Sequence, residues 1–192
     1  HSLAVTSDGQ VVAWGFNGSG RCNVPTGLAD VVAIAAGADH SLALRRDGTV
    51  VAWGNNNYGE TDVPLGLTNV VTVVGGSDHS FAVKTDGSLV GWGYHIPTNV
   101  PAWLSNAVTV AVGGSIAFGG FHSLALGTDG TLAAWGENNS GESDVPMGLT
   151  NVLAIAAGAK HSLVAITPGP AIARKPPATI ALVPGANTNL SI

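Results

Sequence analysis

The stretch Gly37–Pro64, GADHSLALRRDGTVVAWGNNNYGETDVP, decides the fold, because almost all of it recurs along the chain. A His-Ser pair ahead of an apolar run stands at His1, His40, His79, His122 and His161. Asp-Gly follows at Asp8, Asp47, Asp86 and Asp129. Trp-Gly comes next at Trp14, Trp53, Trp92 and Trp135, and Val-Pro closes the unit at Pro25, Pro64, Pro101 and Pro146. Successive histidines are 39, 39, 43 and 39 residues apart. A fixed period of that length marks a solenoid, a propeller or another array.

Within one unit the pattern is that of strands. Val31–Ala36 is short and apolar, β-branched at its start, and ends at Gly37. His40–Leu44 is a second apolar run and Thr49–Trp53 a third, with Asp47-Gly48 between them. Asp-Gly between two apolar runs is a hairpin signal, since Gly takes positive φ without steric cost and Asp tolerates it. Three turn-linked strands per unit are the pattern of one propeller blade. The continuous apolar runs fit sheets buried on both faces. Helical periodicity is absent and Gly is too frequent for long helices. Each Trp is expected to pack between blades, each following Gly to allow a turn or close approach, and each Pro to sit at a strand exit.

The pattern G-x-x-H-S-L-A-L-x-x-D-G-x-V-x-A-W-G-x-N-x-x-G-x-x-x-V-P resembles the regulator of chromosome condensation (RCC1-type) repeat. More narrowly, it is similar to the compact bacterial repeats of the β-lactamase inhibitory protein II kind. The resemblance spans residues 1 to about 166 and implies a seven-bladed β-propeller with blades of three to four short antiparallel strands. For this chain the expectation is an all-β, RCC1-like propeller of about four blades, part of such a ring. The functions found in that family are nucleotide exchange on a small GTPase, inhibitory binding to β-lactamases, and other binding roles.

The units run over about 1–25, 26–64, 65–101, 102–146 and 147–166. The first begins at its second strand. The third has a Trp-Gly to Val-Pro segment, Tyr94–Asn99, two residues shorter than its counterparts. The connection that follows, Gly113–Phe121 (GGSIAFGGF), carries about six extra residues, expected to lie in a loop. After HSLVAI the Asp-Gly is replaced by Thr167-Pro168-Gly169-Pro170, so the last unit needs a third strand from elsewhere. On that basis an open arc is expected, with roughly three further units upstream if the ring has seven blades. Residues 167–192 are rich in Pro, Ala and Thr, with a weak strand pattern at Thr179–Val183 and Asn189–Ile192. They read as a linker or as the opening strands of an Ig-like domain.

Composition excludes several classes. The net charge is −5, and only seven Lys and Arg are scattered over 192 residues, so no basic footprint for nucleic acid exists. No apolar run reaches the ~18 residues of a membrane-spanning helix, so membrane insertion is not expected. A single cysteine, Cys22, allows no internal disulfide.

Catalytic and metal readings fare poorly. The repeat histidines His40, His79, His122 and His161 belong to different blades, whereas zinc ligands must converge at ~2 Å from one ion. They are expected to be structural and bonded to backbone near the inner end of each blade. His95 lies off the pattern and is expected to face solvent. Adjacent His and Ser on a strand point to opposite faces and cannot form a dyad. Asp8, Asp47, Asp86 and Asp129 are accounted for by their turns. Gly114–Gly120 lacks the Lys and Ser/Thr of a phosphate loop. Asn55–Asp62 and Glu137–Asp144 lack a calcium-loop register. The expectation is a non-enzyme without metal or cofactor.

Function in a repeat protein lies in what is not repeated. Two loop sets vary. One precedes each His, at Ala38-Asp39, Ser77-Asp78, Ser115–Phe121 and Ala159-Lys160. The other follows each Trp-Gly, at Phe16–Gly20, Asn55–Gly59, Tyr94–Asn99 and Glu137–Gly141. In the inhibitor-like relatives, aromatics on these loops form the partner face. The matching candidates here are Tyr58 and Phe121, with Phe16, Tyr94 and Phe118 nearby. A protein partner is the first expectation, in a larger bacterial secreted or surface protein. A structural or adhesive domain that binds glycan or acts as a spacer is the second, and exchange on a small GTPase the third.

Overall fold

A computed structural model of the chain describes residues 1–94, 100, 101, 103–115, 119–167 and 179–182. His95, Phe118 and most of the tail lie outside them. The described residues form five small sheets in chain order. The first is two-stranded, β1 (Ser2–Val5) against β2 (Val11–Trp14). The second holds β3 (Val31–Ala36), β4 (His40–Arg45) and β5 (Val50–Gly54), in that order. The third repeats it with β6 (Val70–Gly75), β7 (His79–Lys84) and β8 (Leu89–Gly93). The fourth holds β9 (Ala107–Ser115), β10 (Gly119–Gly127) and β11 (Leu132–Gly136). In the fifth, β12 (Val152–Ala157) pairs antiparallel with β13 (Ser162–Ile166), and β14 (Thr179–Leu182) lies parallel to β13. The third position of that sheet is therefore filled from the weak strand pattern of the tail.

The core is divided among the junctions between sheets. The middle strands send large residues one way and small ones the other, as alternation on a strand requires. Leu42 and Leu44 of β4 pack forward against Val70, Val73, Ala82 and Trp92. Ala43, between them, packs backward with Trp53, Leu28 and Val31, against Leu3 and Val11 of the first sheet. Phe81 and Val83 repeat this against the fourth sheet, and Leu126 against Val152, Val164 and Ile166 of the fifth. Each junction thus buries an apolar layer made half by one unit and half by the next, the energetic logic of a repeat array.

The Asp-Gly turns hold by a different device from the one expected. Gly48 has φ +79°, but Asp47 is not among the residues with positive φ. Gly48 N donates to Arg45 O, closing a turn with Gly in the left-handed position after it. Asp47 acts through its side chain, accepting from Thr49 N at 3.0 Å and Thr49 Oγ1 at 2.6 Å. Asp86 with Ser88 and Asp129 with Thr131 repeat this. These bonds, and for Asp8 the hydroxyl of Thr6, hold the four turn carboxyls below the usual carboxylate range, Asp86 at about 2, with the hydroxyl the largest cause in each. The first three turns also dock onto the next unit: Val31 N donates to Gly9 O, Val70 N to Gly48 O, and Ala107 N to Gly87 O.

The insertion after Gly113 lies differently from expectation. It lengthens the inner hairpin, so that β9 and β10 are nine residues each and Ser115 pairs with Gly119. The register shifts between Gly119 and His122, which returns the remainder of β10 to the repeat pattern.

Candidate functional site: a loop face built on the sheet junctions

One end of the first two junctions is closed by a hydrogen-bonded relay that runs between units. His40 and Ser41 face opposite ways from β4. His40 Nε2 reaches forward to Ser80 Oγ of the third sheet at 2.9 Å. Ser80 Oγ donates in turn to Glu60 O at 2.9 Å, and Trp92 Nε1 donates to the same carbonyl at 2.9 Å. One junction earlier, His1 Nε2 meets Ser41 Oγ at 3.0 Å. Ser41 Oγ and Trp53 Nε1 both donate to Arg21 O, each at 2.8 Å. Ser162 Oγ donates to Glu142 O at 2.6 Å in the last junction. For His1 and His40 the bonded partner is a serine hydroxyl on the neighbouring sheet and not the expected backbone group.

Because Ser80 gives its proton to a carbonyl, it accepts from His40, and the ring is the Nε2–H tautomer. Nδ1 is buried without a hydrogen-bond partner. Burial lowers the His40 pKa to about 4; neighbouring His79 adds to the shift, and Asp39 opposes it. Gly37 lies under the ring: a Cβ there would collide with His40 and stand 2.7 Å from Gly76 O. Gly76, Gly113 and Gly158 lie in the same way under His79, His122 and His161.

Trp53, Trp92 and Trp135 are buried between sheets as expected. Trp14 is 53% exposed, because within this chain no sheet precedes it to supply an apolar layer. The third junction, between the third and fourth sheets, is incomplete among the described residues. Ser123 Oγ and Trp135 Nε1 are buried without a hydrogen-bond partner. The acceptor in the other units stands seven residues after Trp, at Arg21, Glu60 and Glu142. Its counterpart in the shortened third unit falls at Asn99, outside the described residues.

The loops that follow Trp-Gly lie on the relay end, and asparagines clamp those after Trp14, Trp53 and Trp135. Asn56 Oδ1 accepts from Thr61 N at 3.0 Å while its Nδ2 donates to Asp62 Oδ1 at 2.8 Å. Asn138 does the same with Ser143 and Asp144, and Asn17 with Cys22 and Asn23. Asn17, Asn56 and Asn138 are thereby occupied with closing their loops. Among the described residues, no group of three or more His, Cys, Asp or Glu is placed to hold a metal ion.

On this scaffold stand the candidate anchors. Tyr58 and Tyr94, from consecutive units, stack with ring centroids 4.5 Å apart and planes tilted by 31°, and they remain 47% and 43% exposed. Phe16 is 72% exposed, its ring 5.0 Å from the Arg21 guanidinium and close over Gly18. Phe121 does not join them. It is 8% exposed and meets the edge of His79 with centroids 6.2 Å apart, so it packs the junction instead of offering an anchor. Arg21 and Glu60 escaped the sequence reading, since their position is polar in every unit and resembles an ordinary loop residue. The signal was their fixed distance from Trp.

The family model described as regulator of chromosome condensation (RCC1) repeat matches residues 1–21, 31–60 and 115–142. No curated protein sequence matches the chain. Among solved structures, human WBSCR16 is similar with a TM-score of 0.67 at 20% identity, covering 83% of this chain and 54% of that one. Yeast RCC1 (Prp20), in a structure with Kap60 bound, has a TM-score of 0.63 at 24% identity, covering 85% and 51%. The ectodomain of the Physcomitrella patens receptor kinase CR4 has 0.59 at 22%, covering 81% and 40%. The chain spans about half the length of these structures or less. It is an all-β propeller array. More particularly, the stretches 1–21, 31–60 and 115–142 match the RCC1 repeat.

Proposed function

We propose that the chain is a non-enzymatic protein-binding module whose partner docks on the loops after Trp-Gly, with Phe16, Tyr58 and Tyr94 as anchors. The observation that carries this reading is the Tyr58–Tyr94 stack: two large aromatics held half exposed, Tyr58 on a loop whose backbone is already clamped. Aromatic anchors of that kind dominate protein interfaces. A clamped loop also loses little further entropy on binding. The yeast relative was solved with a protein, Kap60, bound, which agrees with a propeller of this type serving as a docking body. We place the chain in a larger bacterial secreted or surface protein, as the resemblance to compact bacterial repeats suggests.

The test is affinity capture on the immobilised chain, alongside a Phe16→Ala/Tyr58→Ala/Tyr94→Ala variant of unchanged circular dichroism. A protein retained by the first and lost by the second supports the reading. Equal retention on both moves the site elsewhere. Retention of oligosaccharides in place of protein, lost on the same variant, supports the adhesive alternative.

A further inference from the structure

The position seven residues after Trp does two separate jobs. Its backbone carbonyl serves the next sheet, as described for Arg21, Glu60 and Glu142. Its side chain turns back to the tip of its own loop. Glu60 Oε2 accepts from Tyr58 N at 2.8 Å, and Glu142 Oε2 accepts from Ser140 N at 2.6 Å. Arg21 Nη2 donates to Ser19 Oγ at 3.4 Å, while Nη1 donates to Ala38 O at 2.6 Å and pairs with Asp39. In each case the tip partner lies two residues earlier.

All three side chains are buried, Glu60 completely. A buried carboxyl is costly unless it is well bonded. Glu60 and Glu142 each keep a second oxygen, Oε1, without a hydrogen-bond partner. A tip N–H near the surface can be satisfied by water, so stability alone is a poor reason to bury an acid beneath it. What the bond does accomplish is to fix the backbone from which the tip side chain springs. In the second unit that side chain is Tyr58.

We propose that Glu60 is the positioning residue of the aromatic ridge: its buried carboxyl holds the Tyr58 backbone so that the ring stacks on Tyr94. This rests on the reading that the ridge anchors a protein partner. Arg21 plays the same part for Phe16, through the guanidinium against its ring and the bridge to Ala38. Glu142 holds a loop whose tip is Ser140, so the holding residue recurs while the tip residue sets what the face displays.

The test needs no partner. Proton NMR of the whole 192-residue chain reads the Tyr58–Tyr94 ring-to-ring NOE and the exchange rate of the Tyr58 amide. The Trp92 indole N–H, bonded to Glu60 O, reports on the junction independently. In Glu60→Ala the NOE is expected to vanish and Tyr58 exchange to quicken roughly tenfold or more, with the Trp92 signal unmoved. Glu60→Gln, which keeps an acceptor oxygen, is expected to restore both. Persistence of the NOE and of Tyr58 protection in Glu60→Ala overturns the proposal. Should Glu60→Ala also lose the Trp92 signal, Glu60→Gln decides alone, its NOE kept in support or lost in refutation. Failure of capture on the loop face would leave this measurement untouched, and the reverse holds as well.

Discussion

At the scale of single residues, Gly37 and His40 show how closely the inner strands approach. Gly37→Ala puts a methyl group into the His40 ring with Gly76 O behind it, leaving no room to yield. The expected cost is about 1–3 kcal/mol, the range of overpacked cores, read as a lower urea midpoint with unchanged slope. His40 supplies a pH dependence. Its ring stays neutral in the folded chain down to about pH 4, whereas the unfolded ring takes up a proton near 6.5. Between those values the unfolded state binds more protons, so stability rises with pH there. The contribution is complete above about pH 6.5 and is lost as pH falls toward 4, a change on the order of 3 kcal/mol. Denaturation midpoints at pH 7 and 4.5 check this, and His40→Gln should flatten the difference while lowering both values.

At the scale of the element, the relay separates serines that look identical in the sequence. Ser80 accepts from His40 and donates to Glu60 O, so Ser80→Ala strips a buried donor of its acceptor. The expected loss is about 1–3 kcal/mol. Ser123 occupies the same repeat position, yet its buried hydroxyl has no hydrogen-bond partner among the described residues. Ser123→Ala should change stability by less than about 0.5 kcal/mol or raise it, since a polar group is removed from an apolar setting. A loss for Ser123→Ala equal to that for Ser80→Ala, measured by the same urea titrations, would mean that the third junction is bonded like the second.

At the scale of the whole molecule, cohesion comes from neighbours in the array, and a unit's stability depends on what lies beside it. Trp92 is buried between two sheets and bonded to Glu60 O, so Trp92→Ala should cost about 3–5 kcal/mol. Trp14 has the same sequence context but no sheet on its outer side in this chain, and Trp14→Ala should cost about 1 kcal/mol or less. Thermal unfolding of the two variants side by side tests whether burial, and not residue type, sets the contribution.

Much of this was legible in the sequence. The period of His-Ser, Asp-Gly, Trp-Gly and Val-Pro placed β3, β4 and β5 within a residue or so, because turn chemistry and apolar runs are local properties. Opposite facing of His and Ser followed from strand geometry alone. The sequence also pointed to Phe16, Tyr58 and Tyr94 as departures from the repeat. What only the tertiary structure decided was everything that crosses a junction. Nothing local indicates that His40 bonds Ser80, that Trp92 shares an acceptor with it, or that Phe121 turns inward to His79 while Tyr58 stays out. The reason is physical: those contacts join residues about 20 to 42 apart, in different units, and depend on how two sheets approach. A repeat fixes which residues are available for such contacts. Their partners are fixed by packing.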